Sequence, residues 1–281
     1  MTKATDIKPK KKVKKAVSKA SKATRAPKTK KPQPRKPKPK KLALKVNNVA
    51  ASYGQKNIIE KINFDVAEGE IFGLMGLNGA GKTTLIKIML GLLEATEGHI
   101  EIFGEKTHKT TGKDKLAYLP ERFEPPHFLT GLEFIEFSLR LYQRNYEEEA
   151  ALQGADRLAL LRDALKNRVN TYSKGMRQKT GLLSTFMTEC PLLILDEPMS
   201  GLDPQARAYV KDEVLACKKR GMTVFLSSHI LADMDEICDR VAVMHDGNIR
   251  FVGTAKELKK QTKQEYLERA FLQTIQAPKV A

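Results

Sequence analysis

Apolar residues run through the chain from Leu42 to about Gln276, and their period changes along the way. Leu42-Ala-Leu-Lys-Val46 and Ile59-Glu-Lys-Ile-Asn-Phe-Asp-Val66 alternate apolar with polar positions, as half-buried strands do. Glu70-Ile-Phe-Gly-Leu-Met75, Pro191-Leu-Leu-Ile-Leu195 and Thr223-Val-Phe-Leu-Ser227 are short apolar runs, the pattern of strands buried on both faces. Gly98-His-Ile-Glu-Ile-Phe103 is a further strand, closed by Gly104. Helical periods separate these runs. Thr84 to Leu90 predicts one helix and Pro204 to Arg220 another. Phe128 to Tyr142 places Phe134, Phe137 and Leu141 on one helical face, and Thr130-Gly-Leu-Glu133 has the form of a capping box. Tyr146 to Leu165 reads as one more helical stretch, rich in Glu, Ala and Leu. Val241 to Val252 predicts a hairpin turning at Asp246-Gly247, and Ala255 to about Gln276 predicts an exposed helical end. The expected fold class is α/β: a parallel core, an antiparallel β layer beside it, and a helical subdomain inserted at about 127–170.

Charge divides the chain differently. Residues 1–41 hold 18 of the 50 Lys and Arg residues and one acid, Asp6, so the formal net charge of +17 belongs to this segment. The rest is formally neutral. The segment is rich in Lys, Pro, Ala, Ser and Thr, with almost no large apolar residues and no apolar stretch to bury, and its prolines interrupt any helix from Pro27 onward. A disordered tail is therefore expected. It lacks the apolar stretch of a secretory signal, and the chain contains no run of 18 uninterrupted apolar residues. Any role at a membrane would then be played from outside the bilayer. Such a polycation suits a polyanion, whether anionic lipid headgroups or nucleic acid, while a solubilising extension is the plain alternative. Cys190, Cys217 and Cys238 are widely spaced and form no C-x-x-C, which speaks against a disulfide frame or a metal site.

Candidate chemistry begins at Gly76, Leu77, Asn78, Gly79, Ala80, Gly81, Lys82 and Thr83. This is the G-x-x-x-x-G-K-[ST] spacing, in which loop N–H groups wrap nucleotide phosphates. The lysine adds a point charge to the terminal phosphates and the Thr83 hydroxyl can coordinate Mg²⁺. A strand precedes the loop and a helix beginning near Thr84 follows it, so the helix N-terminus faces the anion. Leu192-Leu-Ile-Leu-Asp196-Glu197 then delivers two acids from a buried strand to the carboxyl edge of the sheet, where ligands of open α/β sheets bind. Behind a phosphate loop, Asp196 suits Mg²⁺ and Glu197 suits a general base for the attacking water.

In order and spacing these elements resemble the ATPase subunit of an ATP-binding cassette (ABC) transporter, of the exporter-type branch, over residues 42–255. The resemblance implies a P-loop NTPase core that binds ATP and Mg²⁺ and hydrolyses the nucleotide. It implies that Tyr53 stacks on adenine, that Ser200-Gly-Leu-Asp203 links two halves of a dimer, and that His229 senses the γ-phosphate. The signature stretch is Tyr172-Ser173-Lys174-Gly175-Met176 in place of the usual Leu-Ser-Gly-Gly-Gln; Ser173 and Gly175 keep the hydroxyl and N–H that would close on ATP held by a partner subunit. Leu119-Pro120-Glu121 carries a glutamate where the family usually has glutamine. Glu121 keeps an oxygen for metal and water but adds negative charge. The implied partners are a second ATPase subunit and separate membrane (permease) subunits, placing the protein peripherally at the cytoplasmic face of the membrane. Residues 256–281 would be a C-terminal helical extension. A soluble cassette ATPase acting on nucleic acid through the basic tail is the alternative. The chain shows no tandem cassette, long coiled-coil insertion or zinc motif to favour it.

Overall fold

The structure is a computed structural model that describes residues 41–54, 56–107 and 113–277. The basic segment therefore lies outside the described residues, apart from Lys41, and with it the expectation of disorder. In chain order the elements begin with β1 (Leu42–Tyr53), β2 (Lys56–Ala67) and β3 (Ile71–Met75), followed by α1 (Lys82–Met89). β4 (Glu97–Ile102), β5 (Glu105–Lys106) and β6 (Leu116–Leu119) come next. A run of helices follows: α2 (Gly131–Leu141), α3 (Glu148–Arg157), α4 (Arg162–Leu165) and α5 (Lys174–Met187). The chain then passes through β7 (Leu192–Asp196), α6 (Pro204–Lys219), β8 (Thr223–Ser228) and α7 (Leu231–Ile237). It ends with β9 (Arg240–His245), β10 (Asn248–Gly253), α8 (Ala255–Thr262) and α9 (Leu267–Gln276).

Two sheets form. β2-β1-β4-β5 is antiparallel throughout, and β10-β9-β3-β8-β7-β6 is parallel except for its terminal β9–β10 hairpin. The apolar runs explain the second sheet. Successive side chains of a strand point to opposite faces, so an unbroken apolar strand needs a core on each side. Phe72 and Leu74 of β3, Leu192 and Ile194 of β7, and Phe225 of β8 face a cluster shared with the antiparallel sheet and α1. Ile71, Met75, Leu193, Leu195, Val224 and Leu226 face a second cluster built with the helices. Between the sheets, Phe72 stacks on Phe64 at 5.2 Å and on Phe225 at 6.0 Å between ring centroids. Each such buried side chain contributes roughly 1.5–3 kcal/mol of apolar transfer. Arg240 closes the rim, its guanidinium 5.4 Å over the Phe72 ring and 3.3 Å from Glu70.

Local chemistry sets the helix ends. Thr130 and Glu133 exchange the two bonds of the expected capping box, and Asp246 (φ 46°) and Gly247 (φ 71°) turn the β9–β10 hairpin. The expected helical stretch from Tyr146 to Leu165 is instead two helices, α3 and α4, because Ala159 adopts φ 48° and breaks the helical path. The helical end is not simply exposed. Leu258, Leu267, Ala270 and Phe271 are buried in the helix-side cluster, since an i, i+3, i+4 stripe on α9 finds the face of α7 and β9.

Candidate active site

The phosphate loop leaves β3 at Met75 and enters α1 at Lys82. Gly81 is the N-cap at φ 107°, and a Cβ there would meet Ile59 Cγ2 at 2.6 Å and Met244 Cε at 2.8 Å, so only glycine fits. Gly247 N donates to Ala80 O at 3.1 Å, so the β9–β10 turn braces the loop from outside. α1 has no side-chain cap and no acid in its first turn. Its N–H groups and its dipole are thus presented to an anion.

A cleft of about 370 Å³ opens over this helix end. Tyr53, Leu77, Asn78, Gly79, Gly81, Lys82, Thr83 and Thr84 line one side, and Glu121, Asp196 and Glu197 another. Tyr53 lines the cleft and is 53% exposed. Gly76 and Ala80 lie behind the lining as loop backbone; a Cβ on Gly76 would sit 2.8 Å from Met244 O. The Lys82 side chain is buried, with Nζ donating to Gly76 O at 2.7 Å and lying 3.3 Å from Glu197 Oε1.

The two acids at the end of β7 are held differently. Asp196 Oδ1 accepts from Ser227 Oγ at 2.5 Å, and Oδ2 accepts from Thr83 Oγ1 at 3.4 Å. Burial pushes the Asp196 carboxyl above the usual carboxylate range, and the charges of Glu197 and Glu121 push the same way against Lys82. Glu197 adopts φ 49°, a sparsely populated conformation for a non-glycine residue. Its Oε2 lies 2.8 Å from His229 Nδ1 and also accepts from His229 N at 3.3 Å. Among the described residues, its buried Oε1 accepts no hydrogen bond and lies 3.3 Å from Lys82 Nζ. One oxygen is therefore oriented by His229, while the other faces the phosphate-loop lysine.

Ser173, Gly175 and Asp203 are not part of this cleft. They border a second pocket of about 270 Å³, with Gly201 and Lys179. Ser173 caps α5, accepting from Met176 N at 3.2 Å, and Asp203 caps α6, accepting from Ala206 N at 2.8 Å. A Cβ on Gly175 would find only Leu202 Cδ2 at 3.6 Å, so packing within the chain leaves room for a larger residue there. Ser227 is a site residue that no sequence motif marked. Besides holding Asp196, its hydroxyl accepts from Glu197 N at 3.0 Å. The only signal was a hydroxyl closing an apolar run. The Gln178 amide donates to Pro198 O at 3.1 Å and ties α5 to the loop beyond Glu197.

A parallel sheet with a phosphate loop at its carboxyl edge and acids on the neighbouring strand defines a P-loop nucleotide-binding core. The family model described as ABC transporter matches residues 59–200. The bacitracin transport ATP-binding protein BcrA of Bacillus licheniformis is 33% identical, over 80% of this chain and 74% of that protein. An ABC transporter ATP-binding protein of Synechocystis is 38% identical over 71% of this chain, which spans 57% of that relative's length. Among solved structures, an ATP-binding subunit of an ABC transporter superposes with a TM-score of 0.77 and 32% identity, covering 83% of this chain and 99% of that one. This chain belongs to the ABC transporter family, as one of its ATP-binding proteins.

Proposed function

We propose that this chain is the ATP-binding and hydrolysing subunit of an exporter-type ABC transporter, working through separate membrane subunits. The observation that carries the proposal is Glu197, with one oxygen held by His229 and the other, buried, facing Lys82 of the phosphate loop with no hydrogen bond among the described residues. Tyr53 offers its face to adenine, the loop amides and Lys82 take the phosphates, and Glu197 accepts the proton of the attacking water. Thr83 and Asp196 suit Mg²⁺, a hard cation that takes few protein oxygens beside phosphate and water, and a cation there would relieve the raised carboxyl of Asp196. When bound, Mg²⁺ neutralises charge developing on the phosphates. Glu121, exposed on the same wall, adds a carboxylate that glutamine would not.

The second pocket supports a dimer. Ser173 and Gly175 stand apart from the chain's own cleft, so they serve nucleotide held by another cassette, with Asp203 at the same face. Residues 42–255 make the ATPase domain, the helical part at about 127–170 carries movement outward, and 256–281 form the extension. No helix among the described residues is long and apolar enough to cross a membrane. A membrane partner has a docking surface on α2, where Phe137 (48% exposed) and Leu141 (67% exposed) lie one turn apart. Location at the cytoplasmic face follows from that partnership. Capture of the full-length protein from detergent-solubilised membranes is expected to recover a multi-span membrane protein. Recovery of nucleic acid alone, surviving nuclease controls, would overturn the transport reading.

The basic segment 1–41 is proposed to bind polyanions, anionic lipid or nucleic acid, by charge alone, since it has no aromatic residue to stack on bases. Deleting it is expected to weaken sedimentation with anionic vesicles by at least about tenfold at low salt, leaving ATP hydrolysis unchanged. Retained affinity in the deletion would place the polyanion site in the folded part.

A further inference from the structure

A second set of charges joins α6 to α7. Arg207, Lys211 and Lys218 are spaced four and seven residues apart, so they share one face of α6. α7 answers with Asp233 and Glu236, and Asp239 follows it. Asp233 is only 5% exposed; its carboxylate lies 3.4 Å from the Arg207 guanidinium and 3.5 Å from Lys211 Nζ. Lys211 also pairs with Glu236, and Lys218 with Asp239, whose other oxygen accepts from Ile71 N at 2.9 Å.

Desolvating a carboxylate is costly, and an apolar pair of similar size would often stabilise the fold as well. The contact is not tuned for stability either, because the buried Arg207 Nε finds no hydrogen-bond partner among the described residues. Its place in the chain is more informative. Arg207 lies one helical turn beyond Asp203, which borders the second pocket. Asp233 lies four residues beyond His229, which holds Glu197. Ser228 Oγ accepts from Ile230 N at 2.9 Å, so the chain between His229 and α7 is itself pinned. One ion cluster thus connects the loop at the second pocket with the side chain that orients the base.

We propose that Asp233 is a positioning residue. Through Arg207 and Lys211 it ties α7 and His229 to α6 and the Gly201–Asp203 loop, so that engagement of the second pocket sets His229 against Glu197. The proposal rests on the reading of Glu197 as the base of ATP hydrolysis. Asp233 itself touches no substrate and moves no proton.

The test uses the full-length chain, its Asp233→Asn variant and the exchanged pair Arg207→Asp with Asp233→Arg. Two readouts are taken: the imidazole resonances of His229 by NMR of histidine-labelled protein, and the kinetics of Mg²⁺-ATP hydrolysis. Asp233→Asn is expected to move the His229 signal toward that of a free exposed histidine and to lower kcat about tenfold, with KM held within about twofold. The thermal midpoint should stay near wild type, and the exchanged pair should recover most of the lost kcat. An unmoved His229 signal, or a kcat loss that merely follows a lower thermal midpoint, overturns the proposal. Should Asp233→Asn fail to fold, Arg207→Gln breaks the same contact from its more exposed side and is read identically. A wild-type chain that hydrolyses no ATP would refute the functional reading, whereas the His229 signal would still decide whether Asp233 positions that ring.

Discussion

Replacing Glu197 by glutamine is expected to lower steady-state ATP hydrolysis by about 10²–10⁴-fold while ATP binding survives. The substitution keeps the volume of a side chain that is 5% exposed and sits in a strained backbone conformation at φ 49°. It also keeps an oxygen acceptor. What it removes is the capacity of Oε1 to take a proton. It removes a charge as well, and that charge lies 3.3 Å from Lys82 Nζ. In the wild-type chain the lysine is shared between Gly76 O, Glu197 and any phosphate that enters. Without the carboxylate the ammonium belongs to the nucleotide, so affinity for ATP should hold or rise by a few-fold. Equilibrium binding of ATP with Mg²⁺, set beside phosphate release, separates the two effects. Turnover within about tenfold of wild type would remove Glu197 from the role of base.

The same two acids show what the sequence could and could not convey. β3, β7 and β8 were legible because an apolar run bounded by turn residues has few other uses, and their even and odd positions do serve two different cores. The phosphate loop and the Asp196-Glu197 pair were legible because their spacing is short and their chemistry is local. β6 was not, since Leu116–Leu119 spans four residues and carries no turn signal of its own. Nor was the break after α3, because alanine at φ 48° leaves no mark in composition. Seven-residue α7 has no side-chain cap to mark its start, and the cations that pair with its acids lie on α6, more than 20 residues away. Ser227 stands 31 residues from Asp196, and no local rule joins them. The division between the cleft and the pocket beside Ser173 exists only in three dimensions.

Lys82→Met should abolish useful nucleotide binding, raising the Kd for ATP by at least about 10²-fold, through the loss of a charge aimed at the terminal phosphates. It should also cost stability without any ligand. Lys82 and Glu197 are both buried, at 7% and 6% side-chain exposure, and removing the lysine leaves the Glu197 carboxylate desolvated with only its His229 contacts, on Oε2, to offset the burial. Among the described residues Glu197 Oε1 accepts no hydrogen bond, and the Lys82 ammonium is the charge that faces it. A penalty of about 2–4 kcal/mol follows, seen as a fall of roughly 5–10 °C in the thermal midpoint. The double variant Lys82→Met with Glu197→Gln separates the two losses. Neutralising the stranded carboxylate should restore most of the stability, since an uncharged amide is far less costly to bury, yet it cannot restore a cation for phosphate. Recovery of the thermal midpoint without recovery of binding is therefore the expected signature. If the double variant were no more stable than Lys82→Met alone, the pair would not be what offsets the burial of Glu197. If it bound ATP as wild type does, the phosphates would be held by loop amides alone and Lys82 would have no part in the site.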